Sequence, residues 1–186
     1  DTENPLVDIW NTYVGKQLSW IVYVLPQLEQ SSLYVQFDLK RPVHGQNSQP
    51  QAEVFSTLLC PSDLARGRNY VREILTYKIL MAKGNYAAYT SPFHTDLQYI
   101  YPGALIGSPQ KLSSIEDGTS STLALSEVRT LDRESDERGT WALSWNGASL
   151  LALDMHHEGW ADGHNGSGDG VTYIPENRSL FVVNPN

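Results

Sequence analysis

With 186 residues, 40% of them apolar and 18% charged, the chain can fill one domain around a hydrophobic core and is neither a disordered nor a membrane composition. A net charge of −8 argues against nucleic acid and against anionic membrane surfaces, because both need a basic face. The densest cationic group, Arg66, Arg68 and Arg72, is followed at once by Glu73.

No stretch reaches the roughly 18 apolar residues of a membrane span. The opening Asp1-Thr2-Glu3-Asn4-Pro5 is acidic and polar and lacks an initiator Met, as expected of a processed or trimmed product. Downstream, Trp10, Tyr13, Val14, Gln17, Leu18, Ile21, Val24, Leu25 and Leu28 fall largely at three- and four-residue steps. That spacing predicts an amphipathic helix with an aromatic core face. Pro26 lacks the N–H that a helix interior needs, so the helix should end near Leu25 and restart over residues 27–37.

Residues 40–50 read as a polar loop and 51–58 as a short helix stopped by Pro61. Residues 69–82 are apolar in patches, and periodicity does not decide between a helix and a hairpin. Residues 85–89, 122–128 and 141–145 read as strands. Residues 91–109 are loop-like and aromatic, and 131–139 are charged and turn-forming. After Gly159 the chain becomes rich in Gly, Asn and Asp. The simplest arrangement is one α+β domain over residues 1–186, its helix over residues 19–37 laid on an antiparallel sheet with long loops.

Cys60 is a lone cysteine, so an intrachain disulfide is impossible. It reads as a small buried residue, with an intermolecular disulfide or a reactive thiol as the alternatives. Cys60-Pro61-Ser62-Asp63 has the composition of a rigid turn capped by Ser62 or Asp63. Asp117-Gly118-Thr119-Ser120-Ser121-Thr122 is rich in hydroxyls but lacks the Gly-x-Ser-x-Gly elbow of a nucleophilic serine. A turn is expected there, with Gly118 at positive φ and side chains closing onto the backbone.

Two places have the residue types of an ion site. His156-His157-Glu158, with Asp154, Asp162 and His164, suits a transition metal by type, but adjacent histidines diverge on either a strand or a helix. Solvated or core histidines are the alternative. Asn165, Ser167, Asp169 and Glu176 match side-chain positions of the calcium loop, with Gly170 at its turn and Val171 offering a carbonyl. Pro175 and the missing flanking helices depart from an EF-hand, and only Asp169 and Glu176 bring charge. Calcium is the cofactor this spacing points to. The sequons Asn165-Gly166-Ser167 and Asn177-Arg178-Ser179 are short enough to occur by chance.

Read in order, Trp20, Leu25-Pro26, Leu28-Glu29-Gln30, Leu33-Tyr34, Cys60-Pro61-Ser62-Asp63, Asn85-Tyr86-Ala87, Asp117 to Thr122 and Glu127 resemble the bacterial DUF1559 family, whose members look like type II pseudopilins. Arg138-Gly139-Thr140-Trp141 fits as well, and the quoted motifs span about residues 17 to 145. Ser121 stands where the family has Asn. The family's N-terminal hydrophobic helix is not in the sequence, and Gly159 replaces the His that the family places ten residues before Asp169-Gly170.

The resemblance implies a pilin-like fold and a non-enzymatic structural subunit of an exported surface or secretion-associated assembly, located outside the cytoplasm. Its partners would be further copies or other pilin-like subunits, and it would meet a membrane only through an N-terminal helix. The precursor is then expected to carry a short basic leader and about 20 apolar residues, one membrane span. Two rival functions stand beside it. One is an extracytoplasmic module binding a small ligand or glycan on the aromatics between Tyr86 and Tyr101. The other is a hydrolase using Asp154, His156 or His157 and Glu158, for which no spacing demands catalysis.

Overall fold

The structure is a computed structural model that describes residues 15–64, 69–74, 77–94, 98–106, 109–116, 118–134, 136–145 and 147–154. Gly15 and Gln17 both have left-handed backbone, which bars a helix at that point. Ser19 then caps α1 (Trp20–Val24): its backbone is extended and its Oγ accepts the Ile21 N–H at 3.2 Å. Pro26 converts the chain to a 3₁₀ turn, Leu25–Leu28, and Glu29 closes that turn in the left-handed region at φ 61°. A second helical turn, α2 (Ser31–Tyr34), follows.

The helices predicted from residue 6 to near Leu25 and over 27–37 are therefore corrected, in their described part, to three short turns. Proline and a left-handed residue interrupt them, while the apolar spacing still delivers Ile21, Leu25 and Leu33 to the core. Residues 6–14 of that expectation lie outside the described residues. None of the helices among the described residues is long and apolar enough to cross a membrane.

The helix predicted over 51–58 is also corrected. Two 3₁₀ turns, Pro50–Ala52 and Ser56–Leu58, flank extended chain. The Glu53 carbonyl in that extended stretch accepts the Trp141 indole N–H at 3.0 Å. Phe55 meets the same ring edge-on at 5.4 Å. A tertiary anchor thus replaces the helical hydrogen bonds. Residues 40–50 form the expected loop, organised by Gln46, whose Oε1 accepts the Asp38 N–H and whose Nε2 donates to the carbonyls of Asp38, Arg41 and Pro42.

Residues 69–82 are a hairpin, β1 (Asn69–Ile74) paired antiparallel with β2 (Tyr77–Ala82). Tyr70 faces Met81 in register and both are buried, whereas Leu80, one residue along, is exposed. That period of two decides between helix and hairpin. A second sheet places β3 (Tyr86–His94) between β4 (Leu125–Glu127), antiparallel to it, and β5 (Leu150–Asp154), parallel to it. The α+β class and the antiparallel pairings hold, with β3–β5 as the parallel exception.

Residues 141–145, expected as a strand, are turns. Isolated bridges tie Thr140 to Lys83 and Leu143 to Leu18. The Trp141 N–H goes to Ala82 O, the Ala142 carbonyl takes the Ser19 N–H, and Ser144 N–H goes to Gln17 O. Neighbouring residues bond to separate elements, so no single strand can pair with them. Trp141 is the hub of the main core, edge-to-face with Phe37 and Phe55 and packed with Ile21, Leu25 and Met81. A smaller core beneath the three-stranded sheet contains Ala87, Val128 and Leu151.

Candidate functional site

Two of the phrases singled out in the sequence, Cys60 to Asp63 and Asn85 to Ala87, meet at one buried junction with the chain after β4. The Cys60-Pro61-Ser62-Asp63 turn closes with Asp63 N–H donating to Cys60 O at 3.2 Å. Asn85, just before β3, lies over that turn and is 2% exposed. Its Oδ1 accepts the Cys60 N–H at 2.9 Å. Its Nδ2 donates to Val128 O at 2.9 Å and also to the Asp63 carboxylate. Its own backbone is bonded on both sides, N–H to Leu58 O and carbonyl from Val128 N–H, each at 2.7 Å.

The same carboxylate oxygen of Asp63 accepts the N–H and the hydroxyl of Thr130, both at 3.1 Å. Asp63 is thus an acceptor that fastens the chain after β4 onto the turn before β1. An aspartate is suited to this because an ionised carboxylate only accepts, and charge-assisted bonds are the stronger kind. Cys60 to Asp63 does form a turn, closed through the backbone, while the Asp63 carboxylate reaches across the fold. Cys60 is buried, its Sγ 3.0 Å from Ser62 Oγ.

A second buried polar cluster lies alongside. Asp136 takes the Arg138 guanidinium through both carboxylate oxygens at 2.7 to 3.1 Å and accepts the Arg138 N–H. Lys83, 2% exposed, donates to the carbonyls of Leu131 and Arg133 at 3.1 and 2.9 Å and stands 3.9 Å from Asp136. Arg138 is thus paired with Asp136. Lys83, Thr130 and Asp136 escaped sequence reasoning. Their only signal was a lysine in an apolar run, Met81-Ala82-Lys83-Gly84, where a solvated side chain would be out of place.

Elsewhere, the turn after residue 117 has Gly118 at φ 84°, with Ser121 N–H and Thr122 Oγ1 both donating to Gly118 O at 3.1 and 3.0 Å. Ser120 and Ser121 are exposed. Asp117 lies outside the described residues. Of the aromatics expected as a platform, Tyr86 and Tyr89 are partly buried against the two cores. Phe93 and Tyr101 are about half exposed, at 53% and 49%, and meet edge-to-face at 4.9 Å beside exposed Ile100.

No group of three or more His, Cys, Asp or Glu side chains able to hold a metal occurs among the described residues. The predicted calcium ligands Asn165, Ser167, Asp169, Val171 and Glu176 lie outside the described residues, as do His156, His157, Glu158, Asp162 and His164.

A family model described as a protein of unknown function, DUF1559 (SBP_bac_10), matches residues 4–179. The match runs past the quoted motifs at both ends and takes in the stretch of the calcium pattern. No curated protein and no solved structure matches the chain. The chain belongs to the DUF1559 family.

Proposed function

From this membership of the DUF1559 family, we propose that the chain is a non-enzymatic, pseudopilin-like structural subunit of an exported surface or secretion-associated assembly. The supporting observation is the use to which the family phrases are put. Cys60, Asp63 and Asn85 are turned inward and bonded to one another and to the backbone, as befits residues that hold a shape. On this reading the protein works outside the cytoplasm, its partners are other copies or other pilin-like subunits, and a hydrophobic N-terminal helix makes its membrane contact. The pilin-like packing of a long N-terminal helix on the sheet belongs to the same proposal.

The deciding experiment follows the product of the complete gene in its own host. Mass spectrometry of its N-terminus should find cleavage after a short basic leader, with an apolar segment of about 20 residues left on the mature protein, the length of a span. An uncleaved cytosolic product that begins with Met directly before Asp1-Thr2-Glu3 refutes the reading.

The exposed pair Phe93 and Tyr101 favours a second reading, an extracytoplasmic module that binds a small ligand or glycan. Calcium held by Asn165, Ser167, Asp169, Val171 and Glu176 is compatible with either, because ligands of this kind suit a hard cation.

A further inference from the structure

We propose that residues 128–134 form a strap, latched over the sheets by the side chains of Asp63 and Lys83, that opens as a unit without global unfolding. Its attachment is almost wholly polar. Val128 is its one buried apolar side chain; Thr130 is buried and polar, and Leu131 is 42% exposed. Residues 129 and 131–134 are all exposed.

What holds it is a set of hydrogen bonds. Asp63 takes the N–H and hydroxyl of Thr130, and Lys83 Nζ takes the carbonyls of Leu131 and Arg133. Backbone bonds close the two ends, Val128 N–H to Asn85 O at 2.7 Å and Val71 N–H to Glu134 O at 2.9 Å. The Asn85 Nδ2 bond to Val128 O adds a seventh, so the side chains of Asp63, Lys83 and Asn85 supply five of these seven bonds.

Such a segment differs physically from the core it lies on. Opening it uncovers Val128 and the small core it shares with Ala87 and Leu151 but leaves the larger core around Trp141 and Leu25 closed, so the hydrophobic penalty is smaller than for global unfolding. The bonds that break are exchanged for bonds to water, and each net loss is modest. Lys83 also gains on opening, because its ammonium recovers the hydration it gives up at 2% exposure. Beyond the strap, the Gly84 N–H bond to Gly139 O and the Gly139 N–H bond to Ala148 O keep the following chain docked. The hinge is therefore confined to the ends of the segment. This device follows from the attachments alone and stands whether or not the chain is pseudopilin-like.

Hydrogen exchange of the whole chain in sub-denaturing urea reads the opening directly. The amides of Val128 and Thr130, and that of Val71 bonded to the strap's far end, should exchange at rates that scarcely change with urea. The amides of Trp141 and Ala88, bonded to Ala82 O and Ser149 O, should instead show the steep urea dependence of global unfolding. If all five share one slope, the strap unfolds only with the rest and the idea is wrong. Lys83→Met keeps the aliphatic bulk and removes the ammonium. It should speed exchange at Thr130 at least tenfold while leaving the Trp141 slope unchanged, and equal acceleration at both would also refute the latch. Should that variant fail to fold, the slopes of the unaltered protein decide.

Discussion

Asn85 and Gly139 show how much a single residue holds here. The primary amide of Asn85 offers one acceptor and two donor hydrogens, and the fold uses them on Cys60, Asp63 and Val128. An aspartate of the same shape would set a second negative charge against Asp63 and lose both donors. Gly139 is left-handed, at φ 76°, and a Cβ there would collide with the Gly84 carbonyl oxygen and with Thr130 Cγ2. Gly118 has a similar φ of 84° but open space where a Cβ would go. Gly118→Ala should therefore cost only the conformational penalty, about 1–2 kcal/mol. Gly139→Ala adds a backbone collision and should cost several-fold more, or prevent folding. Urea melts of the two variants check this, and equal losses would mean that the Gly84–Gly139 approach is easily relaxed.

At the scale of elements, local signals compete with distant partners, and the distant partners win wherever a large side chain is anchored. Residues 53–55 are extended because Trp141 binds the Glu53 carbonyl and meets Phe55 edge-to-face. Residues 141–145 have strand composition, yet their backbone is divided among Ala82, Ser19 and Gln17. The calcium pattern at residues 165–176, outside the described residues, predicts an ion site. Only Asp169 and Glu176 supply charge, which implies weak calcium binding, with a dissociation constant on the order of 10⁻⁴ to 10⁻³ M as in extracellular modules. Titration calorimetry should show calcium heat in the unaltered chain and none in Asp169→Ala or Glu176→Ala. Absence of heat, with thermal stability unmoved by chelator, would leave this segment a plain loop.

For the whole molecule, the two proposed functions place demands on different surfaces. A subunit that assembles needs a rigid body and an N-terminal anchor, and leader cleavage in the host is its signature. A glycan module needs an exposed aromatic face, and Phe93 with Tyr101 is the half-exposed aromatic pair that fits among the described residues. Both rings are peripheral to the two cores, so Phe93→Ala and Tyr101→Ala should leave the urea midpoint almost unchanged, as surface changes do. Under the subunit reading these variants and the parent alike give no signal on a glycan array. Binding by the parent that both variants abolish would move the choice to the glycan module.

Sequence alone determined the α+β class, the family, the apolar face carrying Ile21 and Leu25, and the turns at Cys60 and Gly118; its strands at 85–89 and 122–128 overlap β3 and β4, although β3 runs on to His94 through residues read as loop and β4 covers only Leu125–Glu127. Each of these is written in local chemistry: side-chain period, proline and glycine positions, and the short polar residues that close turns. Tertiary structure alone decided that 69–82 is a hairpin. It also decided that Cys60, Asp63, Asn85 and Thr130 form one junction and that Lys83 is buried beneath a strap. The junction and the buried lysine depend on which groups become neighbours across sequence separations of 22 to 67 residues. A buried polar side chain is tolerated only if its partners arrive from elsewhere in the chain, and no local pattern announces them.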